Sequence, residues 1–152
     1  MTRVVLSAAA FSADAELSRF ARGRTAATGA LASFVGYCRA TSDHGAVEEI
    51  VLDHYPGFTE KEIERLSRAV AERRELIDLL VIHRIGAVPA GEPIVLVAAL
   101  SSHRAAAFAA VSEMMDYLKT DAPFWKREQG PDGARWIDPT AADYARREEH
   151  AK

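Results

Sequence analysis

The chain has 152 residues, 49% hydrophobic and 27% charged, with 19 Lys and Arg against 22 Asp and Glu for a formal net charge of −3. A length of this order suits one domain, 1–152, that buries about 68–70% of its unfolded surface, and the interleaved charges leave no basic face for nucleic acid. One cysteine, Cys38, excludes an internal disulfide framework, and acids arrive by Asp14 before any apolar run reaches signal-peptide or membrane length, so a cytoplasmic protein with no membrane partner is expected.

In chain order, residues 3–7 are β-rich and short, and Ser12 is placed to cap a small helix carrying Leu17 and Phe20 toward Gly23. The run 30–37 predicts a strand in which Gly36 permits close backbone approach by a ligand or a neighbouring chain. Arg39 follows at its end, where an arginine also reads as half of a surface ion pair. Residues 41–45, TSDHG, carry turn chemistry and predict a mobile loop. A second strand is expected over 47–54. Thr59 and Glu62 then have the spacing of a capping box for a helix that buries Ile63, Leu66 and Val70 and turns its charge run to water.

Residues 77–85 alternate and are rich in β-branched side chains, GAVPAGEP turns the chain, and 94–100 is nearly all apolar. These two strands are expected at the centre of the sheet. His83 falls on the side of Leu79, Val81 and Ile85, which favours a hydrogen-bonded core histidine over a ligand. No two histidines stand at metal-ligand spacing, so no metal is expected.

The spacing of Phe108, Val111, Met115 and Leu118 predicts a helix that starts near Ser102, and Pro123 stops it around 119–121. Lys119 then lies in the last turn, where a cation also complements the helix dipole. Gly130-Pro131-Asp132-Gly133 marks a turn between short strands over 124–129 and 134–138, with Lys126 on the first. From Thr140 the chain is polar and is expected to fray or form a loose helix.

Ser102-His103-Arg104 sits at the predicted N-terminus of that helix. Free N–H groups, the positive dipole end, an arginine and a titratable histidine together suit a phosphate, although a capped helix with a solvated arginine looks the same. His103 and Lys119 are sixteen residues apart, which is roughly 24 Å along one continuous helix. For both to serve one small ligand, either the helix breaks or His103 and Arg104 come from a second copy in a symmetric homodimer with composite pockets.

The runs GALASFVGYCR (29–39), LDHYPGFTEK (52–61), VIHRIGAVPAGEPIV (81–95), SSHRAAAF (101–108), MDYLKTDAPFWKRE (115–128) and GARW (133–136) resemble, in content and order, the MoaE family of large, catalytic molybdopterin synthase subunits. The resemblance implies an α+β fold of the α/β-hammerhead kind, with a mixed sheet, two or three main helices and a small antiparallel hairpin. It implies a sulfurtransferase that converts cyclic pyranopterin monophosphate to molybdopterin. The two dithiolene sulfurs come from the thiocarboxylated Gly-Gly C-terminus of a small ubiquitin-like carrier subunit. The pterin is substrate, and no permanently bound cofactor is implied.

Carried over by motif, Lys119 and Lys126 are the catalytic cations, and two such ammonium groups in a partly dry pocket should each lose proton affinity. Tyr37, Cys38, Arg39, His103, Arg104, Arg127 and Glu128 are the further substrate-binding residues, with Phe34 and Met115 as apolar walls. Family members often carry Asn or Asp where this chain has Ala40, and many have an arginine soon after the RW pair, where this chain reads IDPT at 137–140. The resemblance supplies no phosphate contact at those two places. Two other classes compete: a module that binds a phosphorylated ligand or ubiquitin-like protein without turnover, and a hydrolase that depends on Cys38.

Overall fold

The computed structural model describes residues 2–151. β1 (Thr2–Ser7) leads to α1 (Ala13–Ala21), which Ser12 caps as expected by accepting the Ala15 N–H at 3.2 Å. β2 (Ala30–Tyr37) follows. Its Gly36 makes room inside the chain: a Cβ there would stand 3.0 Å from Val95 Cγ1 and 3.2 Å from the Phe34 ring. The loop expected over 41–45 is a miniature hairpin, β3 (Thr41–Ser42) and β4 (Gly45–Ala46), anchored by the Ser42 hydroxyl, which donates to Glu128 at 3.0 Å.

β5 (Glu49–His54) leads to α2 (Phe58–Arg73), whose N-cap is Gly57 at φ 82°. The capping box expected from Thr59 and Glu62 does not form. Thr59 lies fully buried inside the first turn, where its hydroxyl accepts from the Tyr55 N–H at 2.9 Å and donates to the Pro123 carbonyl at 3.0 Å, while Glu62 pairs with Arg65. Ile63, Leu66 and Val70 are buried as expected.

β6 (Asp78–Arg84) is followed by β7 (Gly86–Pro89), a strand where only a turn was expected, and then by β8 (Pro93–Ser101). α3 (Arg104–Thr120), β9 (Phe124–Gly130), β10 (Gly133–Ile137) and α4 (Ala141–Ala151) complete the described chain. The first sheet runs β1-β6-β8-β2, parallel only between β1 and β6, so the two predicted strands are indeed central. The hairpin of β9 and β10 belongs to a second four-stranded sheet, β10-β9-β5-β7, which is antiparallel throughout. The architecture is the expected α+β with a mixed sheet.

The main core packs Leu79, Val81, Val95, Val97 and Ala99 of the first sheet against α2 and α3. Each large aliphatic group buried there contributes about 1.5–3 kcal/mol. The opposite face, with Leu80, Ile82, Leu96 and Ala98, is covered by Phe11, Leu17 and Phe20 around α1.

Glu113 of α3 is fully buried and accepts from Arg73 and Arg74 at the end of α2, and from the Tyr117 hydroxyl at 2.8 Å. The charge run of α2 is therefore solvated only along part of its length. Replacing Glu113 with alanine is expected to cost about 3 kcal/mol in urea denaturation, the low end for a broken buried pair because both guanidinium groups can rehydrate. A loss below about 1 kcal/mol would show that the clamp is not holding α2 to α3.

Candidate active site

Local sequence decides where the two lysines stand. α3 is rich in strong helix formers, and the side it buries against β8 and β2 carries Ala107, Ala110, Val111, Met114 and Leu118. The apolar stripe is rotated from the expected one: Phe108 is 67% exposed and Met115 half-buried, because the alanines let the helix lie close to the sheet and leave the larger groups at its flank. At the other end the Asp121 and Ala122 N–H groups both donate to the Tyr117 carbonyl, at 2.8 and 3.0 Å. Pro123 bars a further turn. Across it the Phe124 N–H donates to the Ala122 carbonyl at 2.8 Å, a γ-turn that passes the chain directly into β9.

Side chains alternate along β9, so Phe124, Lys126 and Glu128 share one face and Trp125, Arg127 and Gln129 the other. Phe124 stacks on His83 with ring centres 4.2 Å apart, Trp125 lies 4.2 Å from Tyr55, and the Arg127 guanidinium sits 5.7 Å over Trp136. Among the described residues neither Lys119 nor Lys126 forms an ion pair; the nearby acids Asp116 and Asp121 are engaged by α4. Lys126 keeps some exposed surface, yet loss of water around its ammonium is the main reason its pKa falls from 10.5 to about 8. The Lys119 cation pushes in the same direction and Asp143 opposes it. His83 is the core histidine expected: burial lowers its pKa from 6.5 to about 3, helped by Lys126, so the ring is neutral at pH 7.

An open cavity of about 440 Å³ adjoins this joint, with Phe34, Phe108, Met115, Lys119, Asp143 and Arg146 in its walls. The last two come from α4, a wall absent from the sequence reading. The tail does not fray. Thr140 and Asp143 exchange side-chain to N–H bonds at 2.9 and 3.1 Å, a reciprocal cap, and two ion pairs and a hydrogen bond then fasten the helix: Arg147 to Asp121 at 3.0 Å, Arg146 to Asp116 at 3.5 Å, and the His150 ring to Asp116 at 2.6 Å. The T-x-x-D spacing at 140–143 was the legible signal for it.

The other candidates are more scattered. His103 and Arg104 are exposed at the opposite end of α3, an unbroken helix, and so lie roughly 22–24 Å from Lys119 along its axis within one chain. Tyr37 and Arg39 are exposed, while the Cys38 N–H donates to the Glu92 carbonyl at 2.9 Å and its carbonyl accepts from Gly91 at 2.7 Å. Burial raises the Cys38 thiol above its usual range, which removes the thiolate a nucleophile needs. Arg127 faces away from Lys126, and Glu128 is held by Ser42 at 3.0 Å and Arg135 at 3.8 Å.

Fold and site together describe an α+β protein with an unpaired lysine couple at a helix-to-strand joint. Residues 6–121 match the family model described as MoaE protein. The chain is 46% identical over 143 residues to a molybdopterin synthase catalytic subunit of Ralstonia nicotianae, covering 94% of this chain and 81% of that one. The solved structure of molybdopterin cofactor biosynthesis protein E from Burkholderia multivorans superimposes with a TM-score of 0.81 at 38% identity, over 100% of this chain and 98% of that one. A complex of subunits 1 and 2 of molybdopterin-converting factor from Helicobacter pylori shares the fold, with a TM-score of 0.74 at 19% identity over 88% and 89% of the two chains. The chain belongs to the MoaE family, a family of enzyme subunits.

Exchange of Thr140 and Asp143 together for alanine removes both halves of the α4 cap, worth about 1–2 kcal/mol. Amide hydrogen exchange over 141–150 is then expected to speed by about 5- to 30-fold with β6 and β8 unaffected. Equal protection in variant and parent would mean that the cap does not hold α4 in place.

Proposed function

We propose that this chain, acting as a single domain, inserts two sulfurs into cyclic pyranopterin monophosphate to form the dithiolene of molybdopterin. The sulfur donor is the thiocarboxylated Gly-Gly tail of a small ubiquitin-like carrier subunit, and no resident cofactor takes part. The observation that carries this reading is the lysine pair, Lys119 at the end of α3 and Lys126 on β9, close enough for the Lys119 charge to bear on Lys126 and, among the described residues, with Asp143 as a partial counter-charge and no ion pair. An anionic sulfur donor approaching a phosphorylated substrate needs unneutralised cations of this kind. The Ralstonia relative, a molybdopterin synthase catalytic subunit, and the two-subunit complex of the Helicobacter neighbour agree with it.

Lys119, in the cavity wall, neutralises the incoming thiocarboxylate. Lys126 moves the proton as sulfur adds to carbon. With a pKa of about 8, roughly a quarter of Lys126 is neutral at pH 7.5, against about one part in a thousand for an ordinary lysine. Phe34 and Met115 form apolar walls for the tail or the pterin. The pterin is assigned to Arg39 with the Tyr37–Cys38 segment and to Arg127 and Glu128, and its phosphate to His103 and Arg104. The last two reach it only from a second copy, since α3 is continuous, so the working form is a homodimer with composite sites that binds one carrier at each end.

Purified protein incubated with the pyranopterin monophosphate and thiocarboxylated carrier is expected to yield dithiolene product. Binding of both without product would favour the non-catalytic module. Lys119→Ala is expected to lower the single-turnover rate at least about 100-fold. Between pH 7 and 9 the wild-type rate should rise as Lys126 sheds its proton, and Lys126→Arg, which stays charged, should flatten that rise. Cys38→Ser is expected to keep the rate within about threefold because its thiol is buried and protonated; abolition would revive the cysteine hydrolase. Mixed dimers of a His103→Ala, Arg104→Ala chain with a Lys119→Ala chain should regain activity in one of their two sites, and no recovery would refute the composite pocket.

A further inference from the structure

We propose that His83 is a positioning residue for Lys126: its imidazole, fixed by the Arg84 carbonyl and stacked flat on Phe124, is the plate against which the start of β9 is set and water is kept from the lysine head. The inference rests on the reading of Lys126 as a working group in sulfur transfer. Its physical content concerns the free protein alone.

His83 is 2% exposed on β6, on the same face as Leu79 and Val81 of the main core. Its Nδ1 lies 2.8 Å from the Arg84 carbonyl oxygen. A carbonyl only accepts, so Nδ1 carries the proton and Nε2 the lone pair. That bond leaves the ring one orientation, and in that orientation it meets Phe124 at an interplanar angle of 21°. Phe124 and Lys126 leave β9 on the same face, two residues or about 6–7 Å apart. Whatever braces the first ring sets the wall along which the second stem runs.

The charged groups facing this spot are Lys126 of β9 and Lys119 of α3, with Asp143 of α4 acting on Lys126 from the cavity side. Because burial keeps the ring neutral, it adds no third positive charge to the two lysines. It also offers the Lys126 ammonium no carboxylate in place of the water it excludes. A histidine that merely filled the core would affect stability and leave the lysine alone.

The two roles separate in the pH dependence of Lys126 acetylation by acetic anhydride, read by peptide mass mapping on the intact free protein. The wild-type midpoint is expected near pH 8. His83→Ala, which opens the plate to water, should raise it by about one pH unit, a tenfold loss of reactive amine at a given pH below the midpoint. Phe124→Leu, which removes the other ring of the stack, should raise it similarly and decides the matter if the alanine variant fails to fold. His83→Phe keeps the plate and should hold the midpoint within about 0.3 unit. An unmoved midpoint in folded His83→Ala or Phe124→Leu protein, or an equal rise in His83→Phe, overturns the proposal. A wild-type protein with no transferase activity but this labelling pattern would remove the proposed reaction and leave the role of His83 standing.

Discussion

Three residues, 121–123, join α3 to β9, and the geometry of the site depends on how that joint is held. The helix is stopped by Pro123 and by two N–H groups sharing the Tyr117 carbonyl. The strand is started by a γ-turn across the same proline. What keeps this corner in place is α2, which grips α3 at one point and the joint at another. Arg73 and Arg74 at its C-terminal end hold Glu113, and Thr59 at its N-terminal end holds the Pro123 carbonyl. One helix thus fixes both the body of α3 and the point where the chain turns, so Lys119 and Lys126 are delivered to one place from two differently built elements.

The electrostatics follow from which charges are already occupied. α3 carries two acids near its end, Asp116 and Asp121, either of which would neutralise a lysine if free. Arg146 and His150 take the first and Arg147 takes the second, all from α4. The lysines are left with Asp143 as a partial counter-charge and with each other. Desolvation and the Lys119 charge both favour the neutral amine of Lys126 and bring its proton affinity toward neutrality. In physical terms α4 is therefore part of the site, although its residues lie beyond the span that matches the family model.

Strong local signals carried most of the fold. The strands over 30–37, 77–85 and 94–100, the Ser12 cap and the turn at 130–133 were legible because alternation, capping chemistry and Gly-Pro-Asp-Gly are decided within a few residues. The errors came where tertiary context overrode a local pattern. Thr59 had the spacing of a capping residue, but α2 already starts at Phe58 behind Gly57, and the Thr59 hydroxyl accepts from the Tyr55 N–H while donating to a carbonyl sixty-four positions away. The stripe through Phe108 and Met115 was read by hydrophobicity alone. Close packing on the sheet selected the alanines instead. α4 looked polar and terminal, yet its partners Asp116 and Asp121 lie on another helix and no local pattern reveals them. Lys119, Lys126, Phe34 and Met115 were singled out by motif, and of these Lys119, Phe34 and Met115 share one cavity wall. The drop in proton affinity expected for paired ammonium groups is present at Lys126, with burial as its larger cause.

The central claim is that burial and the neighbouring Lys119 cation together weaken the hold of Lys126 on its proton. Carbon-13 NMR titration of ε-labelled lysine, with Lys126 assigned by substitution, measures this in wild-type protein and in Lys119→Ala. The account predicts a midpoint near pH 8 in the wild type, moving upward toward 10.5 once the Lys119 charge is gone. A wild-type midpoint near 10.5, or one indifferent to the loss of Lys119, would contradict it.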